Sequence, residues 1–274
     1  MQNSQYEQQY KKRVIDFFDS RTSYDNDYTI HRALPLLDLV QLQKGQKVLD
    51  MATGTGIIAI AVSQIIGSEG KVTGVDFSSG MLAQAQHKIE ELDLQNIELI
   101  EADAEYIDFN DQSFEVILCS TAIVYFKDIP AALRKWYRFL KPGGVVAFSC
   151  CSEESCGAPL IIDICDKHNI LLTNINEATG TPEKCHHLLA EAGFKDIQVK
   201  TQQLGFYRNV EQAKEWNGGW FHPKENPLLQ VSSDQMTELK AEYRQKIDAE
   251  ATEQGAWYEN LTFFVIGRKV LSKL

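Results

Sequence analysis

The stretch VLDMATGTGIIAI, Val48 to Ile60, constrains the fold of this chain more than any other. An apolar run, an acid, a pair of glycines and a second apolar run describe a strand turning tightly into a helix, the arrangement that cradles a nucleotide at a helix N-terminus. The surrounding sequence extends the pattern. Up to Gly205, short β-branched or apolar runs alternate with helical periodicity, which marks a parallel sheet covered by helices on both faces. Strands are expected at Lys47–Met51, Val72–Asp76, Ile97–Glu101, Phe114–Ser120, Val145–Cys150, Asp196–Thr201 and Leu261–Arg268.

Helix punctuation supports this. Ser78 or Ser79 can cap a helix carrying Leu82, Ala85, Ile89 and Leu92, and Asp128 another carrying Leu133, Trp136, Tyr137 and Leu140, which LKPGG at Leu140–Gly144 stops. Thr181, Pro182 and Gly193 bracket a third. From Tyr207 to Gly255 no strand is expected; the segment holds Trp216, Trp220 and Phe221 and closes on an amphipathic helix with Met236, Leu239, Tyr243 and Ile247. The fold class is therefore α/β. It is a doubly wound, mostly parallel seven-stranded sheet with N-terminal helices and a helical lid inserted before the last strand. The chain reads as one domain over 1–274, with a helical segment at 1–44, a nucleotide-binding core at 45–206, the lid at 207–256 and the last strand and tail at 257–274. The N-terminal helix, with Tyr6, Tyr10, Val14 and Phe17 on one face, is placed to form the wall opposite the lid.

The bulk composition narrows the function. A formal charge of −11 without clustered Lys and Arg excludes a general nucleic-acid binder and favours a small-molecule partner. No apolar run reaches the ~20 residues of a membrane helix, so no span is expected. Six cysteines without a C-x-x-C pair, behind the polar opening MQNSQYEQQY, suggest a reduced, cytoplasmic protein. Cys150 and Cys151 with His186 and His187 lack ligand spacing, so no metal is expected.

Gly54-Thr55-Gly56-Ile57-Ile58-Ala59 fits G-x-G-x-x-G/A, and Asp76 follows Gly56 by 20 positions. Alone this would favour NAD. Asp50 argues otherwise, because a carboxylate beside the turn would repel a pyrophosphate by several kcal/mol at ~4 Å. It suits a cation, such as the ammonium of S-adenosylmethionine. Asp76 would then accept from the ribose hydroxyls and Asp103 from the adenine amino group, while Ala104 offers an amide and Met81 covers a face of the ring.

These residues resemble the seven-stranded class I S-adenosylmethionine-dependent methyltransferases, in the branch related to the ubiquinone/menaquinone C-methyltransferases. The likeness is close from Gly45 to Ser149 and architectural beyond. VLDMATGTG looks like the first motif of that family, VTGVDFSSGML its second-strand acid, EADAEYIDF its adenine motif, and LKPGG the turn before its fifth strand. Ala52 stands where the family most often has its first glycine, and Glu115 replaces the usual Asp. The resemblance implies that Asp50, Ala52, Thr53, Gly54, Gly56, Asp76, Phe77, Met81, Asp103, Ala104 and Ser120 hold S-adenosylmethionine, which leaves as S-adenosylhomocysteine.

Methyl transfer is an in-line displacement from a sulfonium, so the protein mainly orients the acceptor and excludes water. If a general base helps, Tyr125, His222 and Ser120 are candidates. Trp216, Trp220 and Phe221 are either the core of the lid or, with Tyr125, the wall of an apolar acceptor pocket. Two other readings remain: an NAD(P)-dependent oxidoreductase, opposed by Asp50, and a catalytically silent nucleotide-binding module, which would not need all three acids.

Overall fold

The computed structural model describes residues 2–216 and 219–271. All seven expected strands form: β1 (Lys47–Met51), β2 (Lys71–Asp76), β3 (Ile97–Glu101), β4 (Phe114–Ser120), β5 (Leu140–Cys151), β6 (Lys195–Gln203) and, after the short pair β7 (Phe206–Arg208) and β8 (Ala256–Tyr258), β9 (Leu261–Arg268). They build one sheet in the order β3-β2-β1-β4-β5-β9-β6, parallel except that β9 runs against both neighbours. Strand order reverses between β1 and β4, and a crevice opens at such a point outside the carboxyl ends.

The central strands are apolar on both faces because both faces are covered. Along β4, Val116 and Leu118 enter one apolar cluster while Ile117 and Cys119 enter the other; in β1, Val48 and Leu49 divide the same way. The edge strand β6 instead spends its length on partly exposed polar residues such as Lys195 and Lys200, which discourages pairing with another chain. Strand β5 begins five residues before the expected Val145, at Leu140. Pro142 bars further helix, and the extended chain pairs at once with β4 through an irregularity between Phe114 and Val116.

The helices are α1 (Gln2–Asp19), α2 (Asp27–Ala33), α3 (Ile57–Ile66), α4 (Ser79–Glu91), α5 (Ile129–Phe139), α6 (Ala158–Lys167), α7 (Pro182–Glu191), α8 (Val210–Ala213) and α9 (Ser233–Glu250). Ser78, Asp128 and Thr181 cap α4, α5 and α7 as their sequences suggest, each accepting from a backbone N–H inside the first turn. Helices α5 and α7 cover one sheet face, α3 and the turn at Leu34–Leu39 the other. A third apolar cluster, around α6 and α9, stands apart from both.

The segment expected to be strandless is not. Strand β7 opens it and pairs antiparallel with β8, closing the base of the insertion as a ribbon. Cross-strand aromatic pairs hold it: Tyr207 and Trp257 meet at 5.1 Å between ring centroids, Phe206 and Tyr258 at 5.6 Å.

Candidate active site

Strand β1 delivers Asp50 to the carboxyl edge of the sheet, where it is 1% exposed and its Oδ2 accepts from the Thr53 hydroxyl at 2.6 Å. The chain then turns through left-handed backbone at Ala52 (φ 55°), Gly54 (φ 56°) and Gly56 (φ 78°), the last of which caps α3. Gly56 answers two demands, since a Cβ there would also approach the Cβ of Ala85 in α4 to 3.2 Å. Ala52 carries a side chain in a conformation that costs L-residues roughly 1–2 kcal/mol. That strain accounts for glycine being the easier residue at this point. The turn is locked to β2: Gly54 N–H donates to Asp76 Oδ2 at 2.8 Å and Ser78 N–H to Oδ1 at 2.9 Å.

Around this turn lies a cavity with about 1020 Å³ of empty space, part of it open to solvent. Asp50, Ala52, Thr53, Gly54, Asp76, Phe77, Met81, Asp103, Ala104, Ser120 and Tyr125 all line it. Gly56 does not; it supports the turn from behind. The Ser120 hydroxyl is buried without a hydrogen-bond partner, and Thr121, also in the wall, is a β-branched residue at φ 54°. Strain and an orphaned polar atom together mark a place built for a ligand.

Sequence reasoning expected the N-terminal helix to form a second wall and put Val14 on it, but missed the polar members of that wall and the part played by α2. Lys11, Val14, Phe18, Tyr24, Thr29 and Arg32 line the cavity from α1, α2 and the loop between them. Lys11 Nζ donates to Asp103 Oδ2 at 2.5 Å and Glu105 Oε2 at 2.9 Å, and Asp19 Oδ1 accepts from the Ser78 hydroxyl at 2.5 Å and Gly80 N–H at 3.0 Å. The signal for α2 was present as a capping box, in which Asn26 and Thr29 exchange hydrogen bonds.

Burial, with a smaller push from Asp76, raises the Asp50 carboxyl to about 7, against an ordinary value of 3.8. A cationic ligand needs the ionised form, so affinity for S-adenosylhomocysteine is expected to climb with pH, approaching tenfold per unit, and to level off above about 7. Asp50→Asn should flatten that profile in calorimetric titrations. The same raised value favours the protonated fold, so the ligand-free protein should lose stability as pH rises from about 4 to about 7. A pH-independent affinity in the unaltered protein would remove Asp50 from this role.

Other expected residues lie elsewhere. Trp216 and Trp220 are buried in the third cluster with Ala158, Ile164, Leu239 and Tyr243, and Trp220 Nε1 donates to Thr173 O at 3.0 Å. They do not line the cavity; the two indoles pack instead in the apolar cluster that α6 and α9 share. Phe221 packs on Phe17 of α1 at 4.9 Å, outside the cavity wall. His222, 4% exposed, closes a turn: its Nδ1 accepts from the N–H groups of Lys224 and Glu225 at 3.3 Å, and burial lowers its pKa. Beside Ser120, Tyr125 is the candidate from this group that lines the cavity, edge-on to Phe18 at 5.8 Å. Burial pushes its hydroxyl up to about 12, which makes it a donor rather than a base near neutrality. Among the described residues no group of three His, Cys, Asp or Glu is arranged to hold a metal ion, and no helix is long and apolar enough to cross a membrane.

Comparison with known proteins gives three findings. The family described as ubiE/COQ5 methyltransferase matches residues 8–159. A demethylmenaquinone methyltransferase of Listeria welshimeri is 41% identical over 111 residues, 40% of this chain and 47% of that protein, so the chain spans about half the length of such curated relatives. In overall fold the chain resembles the YcgJ protein of Bacillus subtilis (TM-score 0.59, 16% identity, 88% of this chain and 98% of that one). It likewise resembles a SAM-dependent methyltransferase of Aquifex aeolicus (TM-score 0.56, 17% identity, 92% and 98%).

Proposed function

The chain belongs to the ubiE/COQ5 methyltransferase family, and from that premise we propose that it transfers the methyl group of S-adenosylmethionine to a small apolar or aromatic acceptor. The observation that carries the reading is Asp50. It is a fully buried carboxylate at the mouth of the glycine turn, with no cationic side chain within ion-pair distance among the described residues. A pyrophosphate would face both Asp50 and Asp76 there, at a cost of several kcal/mol. A ligand ammonium completes the site instead.

S-adenosylmethionine, when bound, supplies an electrophilic methyl on a sulfonium. Everything else falls to the chain. Asp50 pairs with the ammonium, and the oxygens of Asp76, each with a lone pair beyond its backbone bond, accept from the ribose hydroxyls. Asp103 accepts from the adenine amino group, Ala104 and Met81 border the ring, and the unpartnered Ser120 hydroxyl finds its acceptor on the methionine tail. Helix α1 shields these groups from water, and Val14, Phe18, Tyr125 and Phe126 offer the acceptor an apolar and aromatic surface. A demethylated naphthoquinol is the first acceptor to try, since the Listeria relative is named for such a substrate.

Calorimetry with two nucleotides decides the cofactor. S-adenosylhomocysteine should bind and NAD should not; tight NAD binding with no response to S-adenosylhomocysteine would overturn the assignment. Label transfer from S-adenosylmethionine to the naphthoquinol then tests the acceptor class.

A further inference from the structure

Arg32 is the cation that this cavity leaves unmatched. It lies on α2 in the cavity wall that also holds Tyr24, Thr29 and Tyr125. Its Nη1 donates to the Tyr28 hydroxyl at 3.2 Å. No carboxylate among the described residues lies within ion-pair distance of it, although the protein carries 38 acidic residues against 27 basic ones. Lys11, the other cation in the wall, is by contrast paired twice.

The guanidinium is also held in place. Asn260, itself fully buried, donates from Nδ2 to the Tyr28 hydroxyl at 2.8 Å, so the group on which Arg32 rests is fixed to the start of β9. The Arg32 guanidinium lies 5.5 Å from the Tyr28 ring centroid. A guanidinium fixed by aromatic and hydroxyl contacts, with donors left over and no carboxylate to meet them, is set to receive an anion. Its field acts on neighbouring thiols as well: hydrogen bonding with Cys151 and then the Arg32 charge bring Cys156 down to about 7.

Resting on the methyltransferase reading, we propose that Arg32 binds an acidic oxygen of the methyl acceptor, a carboxylate or an ionised ring hydroxyl. Such an anchor would fix the acceptor's orientation in the cavity. If the oxygen is attached to the ring being methylated, the guanidinium would stabilise its ionised form, and that form directs electron density to the neighbouring carbon.

The test uses the full chain saturated with S-adenosylhomocysteine, titrated calorimetrically with 1-hydroxy-2-naphthoate and with its neutral methyl ester. The acid should bind about tenfold or more tightly than the ester, as a charge-assisted contact in a partly buried site predicts. Arg32→Met should abolish that preference by weakening the acid alone, and Arg32→Lys should keep part of it. Equal binding of acid and ester to the unaltered protein would overturn the proposal, and this arm needs no variant to fold. So would a loss of S-adenosylhomocysteine affinity in Arg32→Met with 5′-methylthioadenosine, which lacks the carboxylate, binding as before; the guanidinium would then serve the cofactor's own acid. If S-adenosylhomocysteine fails to bind the unaltered protein, the methyltransferase reading is lost, and the acid and ester compared on the nucleotide-free chain still decide the role of Arg32.

Discussion

Asp76→Ala is expected to weaken S-adenosylhomocysteine binding by about 2–3 kcal/mol, a rise in Kd of roughly 30- to 150-fold. The carboxylate is 6% exposed and takes backbone N–H bonds from Gly54 and Ser78 on its two oxygens. The substitution therefore removes the acceptor for two ribose hydroxyls and also frees the glycine turn from β2. Burial raises the pKa of this group, so removing the carboxylate also relieves a desolvated charge, which offsets part of the fold stability lost with its two backbone bonds. Asp76→Asn separates the contributions: it keeps an acceptor oxygen while removing the charge, and should fall between the two. Unchanged calorimetric affinity in Asp76→Ala would mean that the ribose is held by other groups.

Trp220→Ala should destabilise the fold by about 3–5 kcal/mol, the range for large aromatic deletions from a packed interior. The indole is 4% exposed, sits in the cluster formed with α6 and α9, and ties two loops together through its bond to Thr173. Denaturant melts are the measurement, with hydrogen exchange in α9 showing where protection is lost. A variant of normal stability with a selectively raised KM for acceptor would put the indole in the acceptor site instead.

The two outcomes show where the sequence was legible. The short apolar runs of β1 and β4, the caps at Ser78, Asp128 and Thr181, and the spacing from Gly56 to Asp76 are local signals, each readable within a few residues. Those signals place ten of the eleven expected cofactor residues in one cavity wall. What the lid aromatics pack against is a long-range matter: Trp216 and Trp220 announce burial without naming their neighbours. The opposite error occurred in α1 and α2. Lys11 and Arg32 sit on helices whose polar residues look like ordinary solvated faces, and nothing nearby in sequence shows that the sheet edge comes to meet them. Strand β7, three residues long, is too short to display a period.

The position of α1 has a consequence for how the molecule is made. Its hydrogen bonds to the sheet edge and the insertion reach far downstream: 59 residues separate Asp19 from Ser78, 92 separate Lys11 from Asp103, 115 separate Tyr10 from the Tyr125 carbonyl, and 216 separate Tyr6 from the His222 carbonyl. A helix made well before these partners thus docks only after they have formed, since closing such loops is entropically costly until the sheet exists to receive it. The second cavity wall is therefore assembled only after most of the chain has emerged. A nascent chain stalled just after the glycine turn would hold that turn with its cover undocked, and a bound nucleotide that touches both walls would act afterwards as the clasp that keeps this early helix in place.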